Sequence, residues 1–221
     1  MTLFRGVPWL AFGILLCCAA ASAMADESPQ RTLFEHRSVQ RELNLTDDQQ
    51  KQVDEIVAEM RTKIAQRRKE AAAKAENEQE AQTLGERAAD TVVAEQGQRF
   101  MAVLDQRQAT RFWEIGAQTA GPEVFNNNRV QRVLKPTDEQ RQKMGEIYGA
   151  MEEELVKVLT DATLNTEELQ REMLRIRERC RGKLLTVLTP QQRKDFDSLL
   201  GKPFDDDPLK PKHLRRKAGE K

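Results

Sequence analysis

Apolar residues recur along most of the chain at the three- and four-residue spacing of one face of an α-helix. The clearest runs follow Thr46 and Thr137, and each is followed by a second run of the same period. The first pair of runs holds Val53, Ile56, Val57, Met60 and Ile64, then Ala89, Val92, Gln96, Phe100 and Val103; the second pair holds Met144, Ile147, Tyr148, Met151 and Leu155, then Met173, Ile176, Cys180, Leu184 and Val187. No stretch alternates apolar and polar positions as a strand would, so the pattern predicts an all-α protein with long antiparallel helical hairpins.

The two pairs of runs belong to an internal repeat. The letters VQRxL at 39–43 recur at 130–134, which is 91 residues later, and TDDQ at 46–49 recurs as TDEQ at 137–140. Later segments match at a spacing of 84, as Phe112 does with Phe196. The two spacings differ by one heptad, about two helical turns, so the apolar face keeps its phase. We therefore expect two tandem copies of one helical unit, arranged as a pseudo-dimer or an elongated bundle, with the longer hairpin in the first copy.

Each copy is predicted to contain four helices. The first helix is short, over 30–43 in one copy and 122–134 in the other. The turn of the long first hairpin is predicted near Lys74 to Glu80, with Gly85 as the competing breaker. The last helix of each copy is predicted to end at Gly116 or Gly201, because glycine is preferred just past a helix.

Most helix starts carry a capping signal, in which an N-cap residue is followed three positions later by glutamine. In three of the four copies a leucine precedes the cap and can pack against the first turn of the helix. The predicted capping residues are Leu45, Thr46 and Gln49, then Thr137 and Gln140, then Leu188, Thr189 and Gln192, with Asp105 and Gln108 as a weaker fourth copy.

The N-terminal segment has the features of a secretory signal peptide. Arg5 supplies positive charge, residues 7–21 are mostly apolar, and small residues precede a cleavage point after Ala25. The apolar run is short for a membrane span, so we expect export to the periplasm or extracellular space without stable membrane insertion after cleavage; retention as an anchor is the alternative. The predicted divisions are a signal peptide over 1–25, helical repeats over 26–120 and 121–201, and a disordered charged tail over 202–221.

Composition limits the chemistry that the chain can perform. The 36 basic and 36 acidic residues balance, which gives no support to nucleic-acid binding. The two histidines, His36 and His213, lie far apart in the sequence, and no metal, phosphate or nucleophile motif accompanies them. Cys180 lies on an apolar stripe, which predicts a small buried residue, with intermolecular pairing as the alternative. We expect no catalytic site, no metal site and no cofactor.

The letters LTDDQ at 45–49, PTDEQ at 136–140 and LTPQQ at 188–192 resemble the LTxxQ signature of the Spy/CpxP family. The resemblance covers most of residues 30–200 and implies a small, exported, all-helical protein of the bacterial periplasm, with long helices forming a curved cradle. It implies an ATP-independent chaperone or an envelope-stress adaptor whose partners are unfolded or envelope proteins. The motif set occurs twice here, so a single chain would form the pseudo-dimer, although the oligomeric state stays open. Proline stands at 136 where the motif has leucine.

Three residues are candidates for contact with a partner. Trp113 aligns with Asp197 of the second copy, so we expect Asp197 to be exposed and Trp113 to lie at an interface between copies or to be an exposed anchor. Arg171 and Arg175 belong to an arginine-rich stretch with interspersed glutamates, which predicts either surface ion pairs or a cationic face for unfolded clients. A structural or scaffolding protein of the envelope and a metal-responsive sensor are the alternatives to the chaperone function.

Overall fold

The computed structural model describes residues 33–205, and every regular element among them is helical, with no strand. The α-helices of this part are α1 (Arg37–Glu42), α2 (Asp47–Lys74), α3 (Glu78–Val103), α4 (Gln106–Thr119), α5 (Asn128–Leu134), α6 (Asp138–Leu159), α7 (Thr166–Val187) and α8 (Pro190–Leu200). Short 3-10 helices at Leu33–Glu35 and Gly121–Asn126 precede α1 and α5. The predicted all-α class is therefore confirmed for the part of the chain that the structure describes.

Four helices begin where the capping pattern predicts. The N-cap residues of α2, α4, α6 and α8 adopt extended backbone, and each forms a complete capping box with a glutamine three residues later. At α2, the Thr46 hydroxyl accepts a hydrogen bond from the Gln49 amide N–H at 3.2 Å, and Gln49 Oε1 accepts one from the Thr46 N–H at 3.0 Å. These bonds satisfy backbone N–H groups that the start of a helix would otherwise leave unpaired.

Helices α2 and α3 are separated by residues 75–77 alone and pack against each other in opposite directions. Glu59 of α2 forms an ion pair with Arg99 of α3, and closer to the turn Arg68 lies against Gly85. The predicted turn position is confirmed. The alternative, a break at Gly85, is wrong: this glycine is buried within α3 and lies beside Arg68 of α2, where even a Cβ would make ordinary contact, at 3.5 Å from Arg68 Cγ.

Two clusters of buried apolar side chains form the interior of the described part. The first cluster contains Leu33, Phe34, Val39, Leu43, Val53, Ile56, Met60, Val92, Phe100, Ile115 and Phe204. The second cluster contains Ala117, Val124, Phe125, Val130, Leu134, Met144, Met151, Ile176, Cys180, Leu184, Leu188 and Phe196. Helix α4 connects the two clusters, because Ile115 packs into the first and Ala117 into the second.

Several boundaries differ from the sequence prediction. Each predicted short helix, over 30–43 and over 122–134, is divided into a 3-10 helix and a short α-helix. Helix α4 does not end at Gly116 but continues to Thr119, because the buried Ala117 extends its apolar face. The prediction for α8 is correct, since Gly201 follows its last residue with φ of 65°.

The prediction of a disordered tail over 202–221 is wrong at its beginning. Phe204 is only 8% exposed and packs into the first cluster, so the chain beyond α8 does bury an apolar side chain. The predicted signal peptide with cleavage after Ala25 and tail residues 206–221 lie outside the described residues. Within residues 33–205, no helix combines the length and the apolar character needed to cross a membrane.

Replacement of Phe100 by alanine tests the first cluster. Phe100 is fully buried, and its ring centroid lies 5.0 Å from that of Phe34 and 4.8 Å from that of Phe112. We expect Phe100→Ala to lower the free energy of unfolding by about 3–5 kcal/mol, measured by urea denaturation followed by circular dichroism. The neighbouring Met101 is 40% exposed, so Met101→Ala is the control and should cost less than about 1 kcal/mol. Equal losses for the two variants would contradict the assignment of this core.

Candidate functional site

The glutamines of the capping motifs do more than cap their own helices. Gln49 Nε2 donates a hydrogen bond to the Val103 carbonyl oxygen at the end of α3, at 2.8 Å. Gln140 Nε2 donates to the carbonyl oxygen of Val187, at the end of α7, also at 2.8 Å. Each of these side chains therefore joins the beginning of one long helix to the end of the next one.

The motif glutamines also bind each other in pairs. The Gln49 and Gln108 amides exchange two hydrogen bonds, with Nε2 to Oε1 distances of 2.8 and 2.9 Å. Gln140 and Gln192 do the same at 2.7 and 3.0 Å. We call these two reciprocally bonded pairs the first and the second glutamine clasp.

The second amide of each clasp completes the junction. Gln192 Nε2 donates to the carbonyl oxygen of Leu134, the last residue of α5, at 2.8 Å, and its Oε1 accepts from the Thr189 N–H at 2.9 Å. Gln108 Nε2 reaches the Asn44 carbonyl oxygen at 3.4 Å. Each clasp thus links two helix starts to the ends of two other helical segments, and every donor and acceptor of its two side-chain amide groups is used.

Sequence reasoning identified the motif residues but missed the clasps. The missed signal is that all four motif positions carry glutamine, whereas glutamate caps a helix start equally well. A carboxylate accepts hydrogen bonds but donates none, so only the amide can reach carbonyl oxygens on other helices. The capping threonines are exposed, while Gln108 is buried and Gln49, Gln140 and Gln192 are partly buried. Leu188 is buried in the second cluster, and Leu45 packs at the edge of the first.

A further pair of glutamines, 91 residues apart, makes equivalent contacts inside the clusters. Gln40 is 3% exposed, and its Nε2 donates to the carbonyl oxygen of Phe34 at 2.7 Å. Gln131 Nε2 donates to the carbonyl oxygen of Phe125 at 2.5 Å. These bonds hold the 3-10 helices against α1 and α5, and they place the aromatic residues in the two clusters.

Trp113 lies on α4 and packs against the second cluster while remaining partly exposed. The Arg129 guanidinium lies 4.1 Å from the centroid of its ring, which is cation–π geometry. Asp197, the corresponding residue of α8, is exposed as predicted. A role for Trp113 in binding a partner stays a prediction.

Arg171 and Arg175 lie on an exposed basic face of α7. Four exposed cationic residues follow one another at four-residue spacing on this helix: Arg171, Arg175, Arg179 and Lys183. Arg175 forms an ion pair of 2.5 Å with Glu172, and Arg171 a looser one of 3.9 Å with Glu167. Exposed pairs of this kind contribute little to stability, so the arginines can exchange these partners for others at low cost.

Two other arginines of the same stretch serve the fold. Arg177 pairs with Glu123 at 2.6 Å, and Arg181 Nη1 donates to the Gln118 carbonyl oxygen at 3.1 Å. Both bonds attach α7 to the end of α4 and the 3-10 helix that follows it. The arginine-rich stretch therefore has an inward side that is structural and an outward side that is open to solvent.

The buried titratable groups of the second cluster are held in their protonated forms. Cys180 is 3% exposed, as predicted for a small buried residue, and burial raises the pKa of its thiol. Burial also raises the pKa of Tyr148, whose hydroxyl donates to the Pro122 carbonyl oxygen at 2.7 Å. Among residues 33–205, no group of three or more histidine, cysteine, aspartate or glutamate side chains is placed to hold a metal ion.

Comparison of the chain with protein-family models found no family that matches. No curated protein and no solved structure matches the chain either. What can be said of function therefore rests on the geometry of this chain, in which two glutamine clasps organise the helices and leave a basic face exposed.

Replacement of Gln140 by glutamate separates the contribution of the helix cap from that of the glutamine clasp. The carboxylate can still accept the Thr137 N–H, but it cannot donate to Val187 or to Gln192. We expect Gln140→Glu to lower the free energy of unfolding by about 2 kcal/mol at neutral pH, measured by urea denaturation. Facing oxygen acceptors raises the pKa of the new carboxyl in the folded state, so the deficit should shrink as the pH falls through that pKa.

The matched control for this variant is Gln142→Glu, two residues along α6. Gln142 is exposed, and its amide donates only to Glu146, at 3.1 Å. The control should change the free energy of unfolding by less than about 0.5 kcal/mol. A loss at position 140 no larger than that at position 142 would show that the clasp adds nothing to the cap.

Proposed function

We propose that this chain is a non-enzymatic, exported binding protein, a Spy/CpxP-like ATP-independent chaperone or envelope-stress adaptor. It consists of two tandem copies of one helical unit, in which α1–α4 correspond to α5–α8. The two copies form a pseudo-dimer within a single polypeptide. Each unit is a long antiparallel hairpin whose open end is closed by a glutamine clasp.

The equivalence of the two clasps is the observation that carries this proposal. In both halves of the described chain the motif glutamines, which are 91 and 84 residues apart, bind each other in the same way, and Gln49 and Gln140 bind the carbonyl oxygens of Val103 and Val187, 84 residues apart. The positive φ angles of Asn44 and Lys135, 91 residues apart, place the same left-handed turn before α2 and α6. A motif that repeats with its tertiary contacts supports an inherited unit better than a motif that repeats only as letters.

The distribution of buried and exposed residues supports client binding as the activity. Beyond Ile64, which packs against the first cluster, α2 continues to Lys74 over a length of about 15 Å without any further part in that cluster. Single apolar side chains stand exposed on three other helices, namely Met101, Val133 and Val156. Weak and exchangeable binding, which a holdase needs and which requires no nucleotide, could use these single apolar side chains together with the basic face of α7.

Suppression of aggregation tests the proposal. Purified protein at a near-stoichiometric ratio should reduce the light scattering of a client that aggregates on reduction, such as reduced lysozyme. The double variant Arg171→Ala/Arg175→Ala should require about two- to fivefold more protein for the same effect, because each lost surface charge contributes up to about 1 kcal/mol. Added salt should reduce the difference between wild type and variant.

The control for this test is Arg141→Ala, which removes an exposed, ion-paired arginine from α6. This variant should suppress aggregation as the wild type does. An absence of suppression by wild type across several clients would remove the chaperone proposal. Recovery of one defined envelope partner in that case would favour the scaffolding alternative.

A further inference from the structure

Residues 201–204, which follow α8, cross onto α4 and are held there by their backbone; we call them the strap. Gln118 Nε2 donates to the carbonyl oxygens of Leu200 at 2.6 Å and Lys202 at 2.8 Å, and its Oε1 accepts from the Phe204 N–H at 2.7 Å. Arg111 Nη1 donates to the Lys202 carbonyl oxygen at 2.6 Å. All of these hydrogen bonds are to backbone atoms, so they do not depend on the side chains of the strap.

One side chain of the strap is buried. Phe204 is 8% exposed and enters the first cluster, while Lys202 and Pro203 are exposed. The strap is thus bound as an extended peptide, through its main chain and a single aromatic anchor. This is a mode of recognition that tolerates many sequences, since only the anchor position is selective.

The side chains that bind the strap are positioned by other contacts as well. Arg111 is 13% exposed and forms ion pairs with Glu42 at 2.7 Å and Glu114 at 2.9 Å. Glu42 lies on α1, so this arginine also joins α1 to α4. These pairs do not involve the strap, so they would hold Arg111 in place after the strap leaves.

We propose that the surface formed by Gln118, Arg111 and the edge of the first cluster is a peptide-binding site that the chain occupies with its own strap. An extended segment of an unfolded protein, carrying an aromatic side chain, displaces the strap and binds in its place. This inference rests on the proposed chaperone function and adds to it a defined client site and an autoinhibitory contact.

The strap begins at Gly201, the residue that ends α8. This glycine has φ of 65° and ψ of −154°, a conformation that side-chain-bearing residues avoid. While attached, the strap competes at an effective concentration in the range of about 1 mM, typical of a short tether. A free segment of similar intrinsic affinity therefore binds poorly until the strap is weakened.

A fluorescent peptide of residues 199–207, LLGKPFDDD, is the direct probe. Its binding is measured by fluorescence anisotropy to the full-length wild type and to Phe204→Ala, whose vacated pocket the peptide phenylalanine can fill. We expect the variant to bind at least about tenfold more tightly than wild type, because the competitor in cis has lost its aromatic anchor. A peptide with alanine in place of phenylalanine should bind neither protein, and Gln118→Ala added to the variant should abolish the gain.

Gly201→Ala and Lys202→Ala are the accompanying variants. A Cβ at position 201 would stand 2.2 Å from the Glu114 carboxylate in a backbone conformation that alanine resists, so Gly201→Ala should loosen the strap with Phe204 and its pocket intact. It should therefore bind the peptide more tightly than wild type. Lys202→Ala removes only an exposed side chain and should bind as wild type does. Retained helicity by circular dichroism shows that each variant is folded.

Carboxymethylated, permanently unfolded lysozyme provides the client arm of the experiment. It should displace the labelled peptide from Phe204→Ala, whereas native lysozyme should not. Failure of both Phe204→Ala and Gly201→Ala to gain peptide affinity while folded would overturn the site, and failure of displacement would overturn the client as its occupant. A concentration-dependent wild-type dimer that Phe204→Ala abolishes would also overturn it, since a second copy would then be the occupant.

The strap inference and the proposed function can fail separately. Suppression of aggregation by wild type that neither strap variant enhances, with no gain in peptide affinity, leaves the chaperone proposal standing without this site. Tighter peptide binding by the variants, without suppression of aggregation by any of the proteins, leaves a peptide-binding site and removes the chaperone proposal.

Discussion

The side-chain amide of glutamine has two N–H donors and an oxygen that accepts two hydrogen bonds. The described helices meet where two such amides bind each other. In each glutamine clasp, Oε1 accepts from a helix-start N–H and from the partner amide, while Nε2 donates to a distant carbonyl oxygen and to the same partner. The N–H and C=O groups at helix ends lack partners within their own helix, and here one glutamine side chain forms hydrogen bonds to such groups of two different helices. The position of each helix start is thereby tied to that of helix ends more than 40 residues away in the sequence.

The two long helix pairs differ in length at the end that lies farthest from the clasps. Measured from the clasp, α2 and α3 are longer than α6 and α7, and the surplus lies at the far end of the pair, near residues 75–77. That end is packed by small residues such as Ala71, Gly85 and Ala89, and it takes part in neither clasp. A length change of whole turns at such a place leaves the clasp and both apolar clusters in register.

The two clusters are connected by elements that cross from one to the other. Helix α4 places Trp113 and Ala117 against the second cluster, and Phe204, beyond α8, enters the first. The relative position of the two clusters therefore depends on two short segments, the helical end of α4 and the extended strap. The extended one is held by Gln118 and Arg111 through backbone atoms, which makes it the more readily replaced of the two.

The sequence alone determined the features that depend on local spacing. The Thr–x–x–Gln motifs predicted the first residues of α2, α6 and α8, because a capping box is formed within one helical turn. Apolar periodicity predicted the turn after Lys74 and the burial of Cys180, because both follow from helical geometry. Only the tertiary structure decided what the motif glutamines bind with their second set of hydrogen bonds, that Gly85 is buried against α2, and that Phe204 is buried. Each of these depends on a surface brought from elsewhere in the chain, and single-residue patterns carry no record of such distant partners.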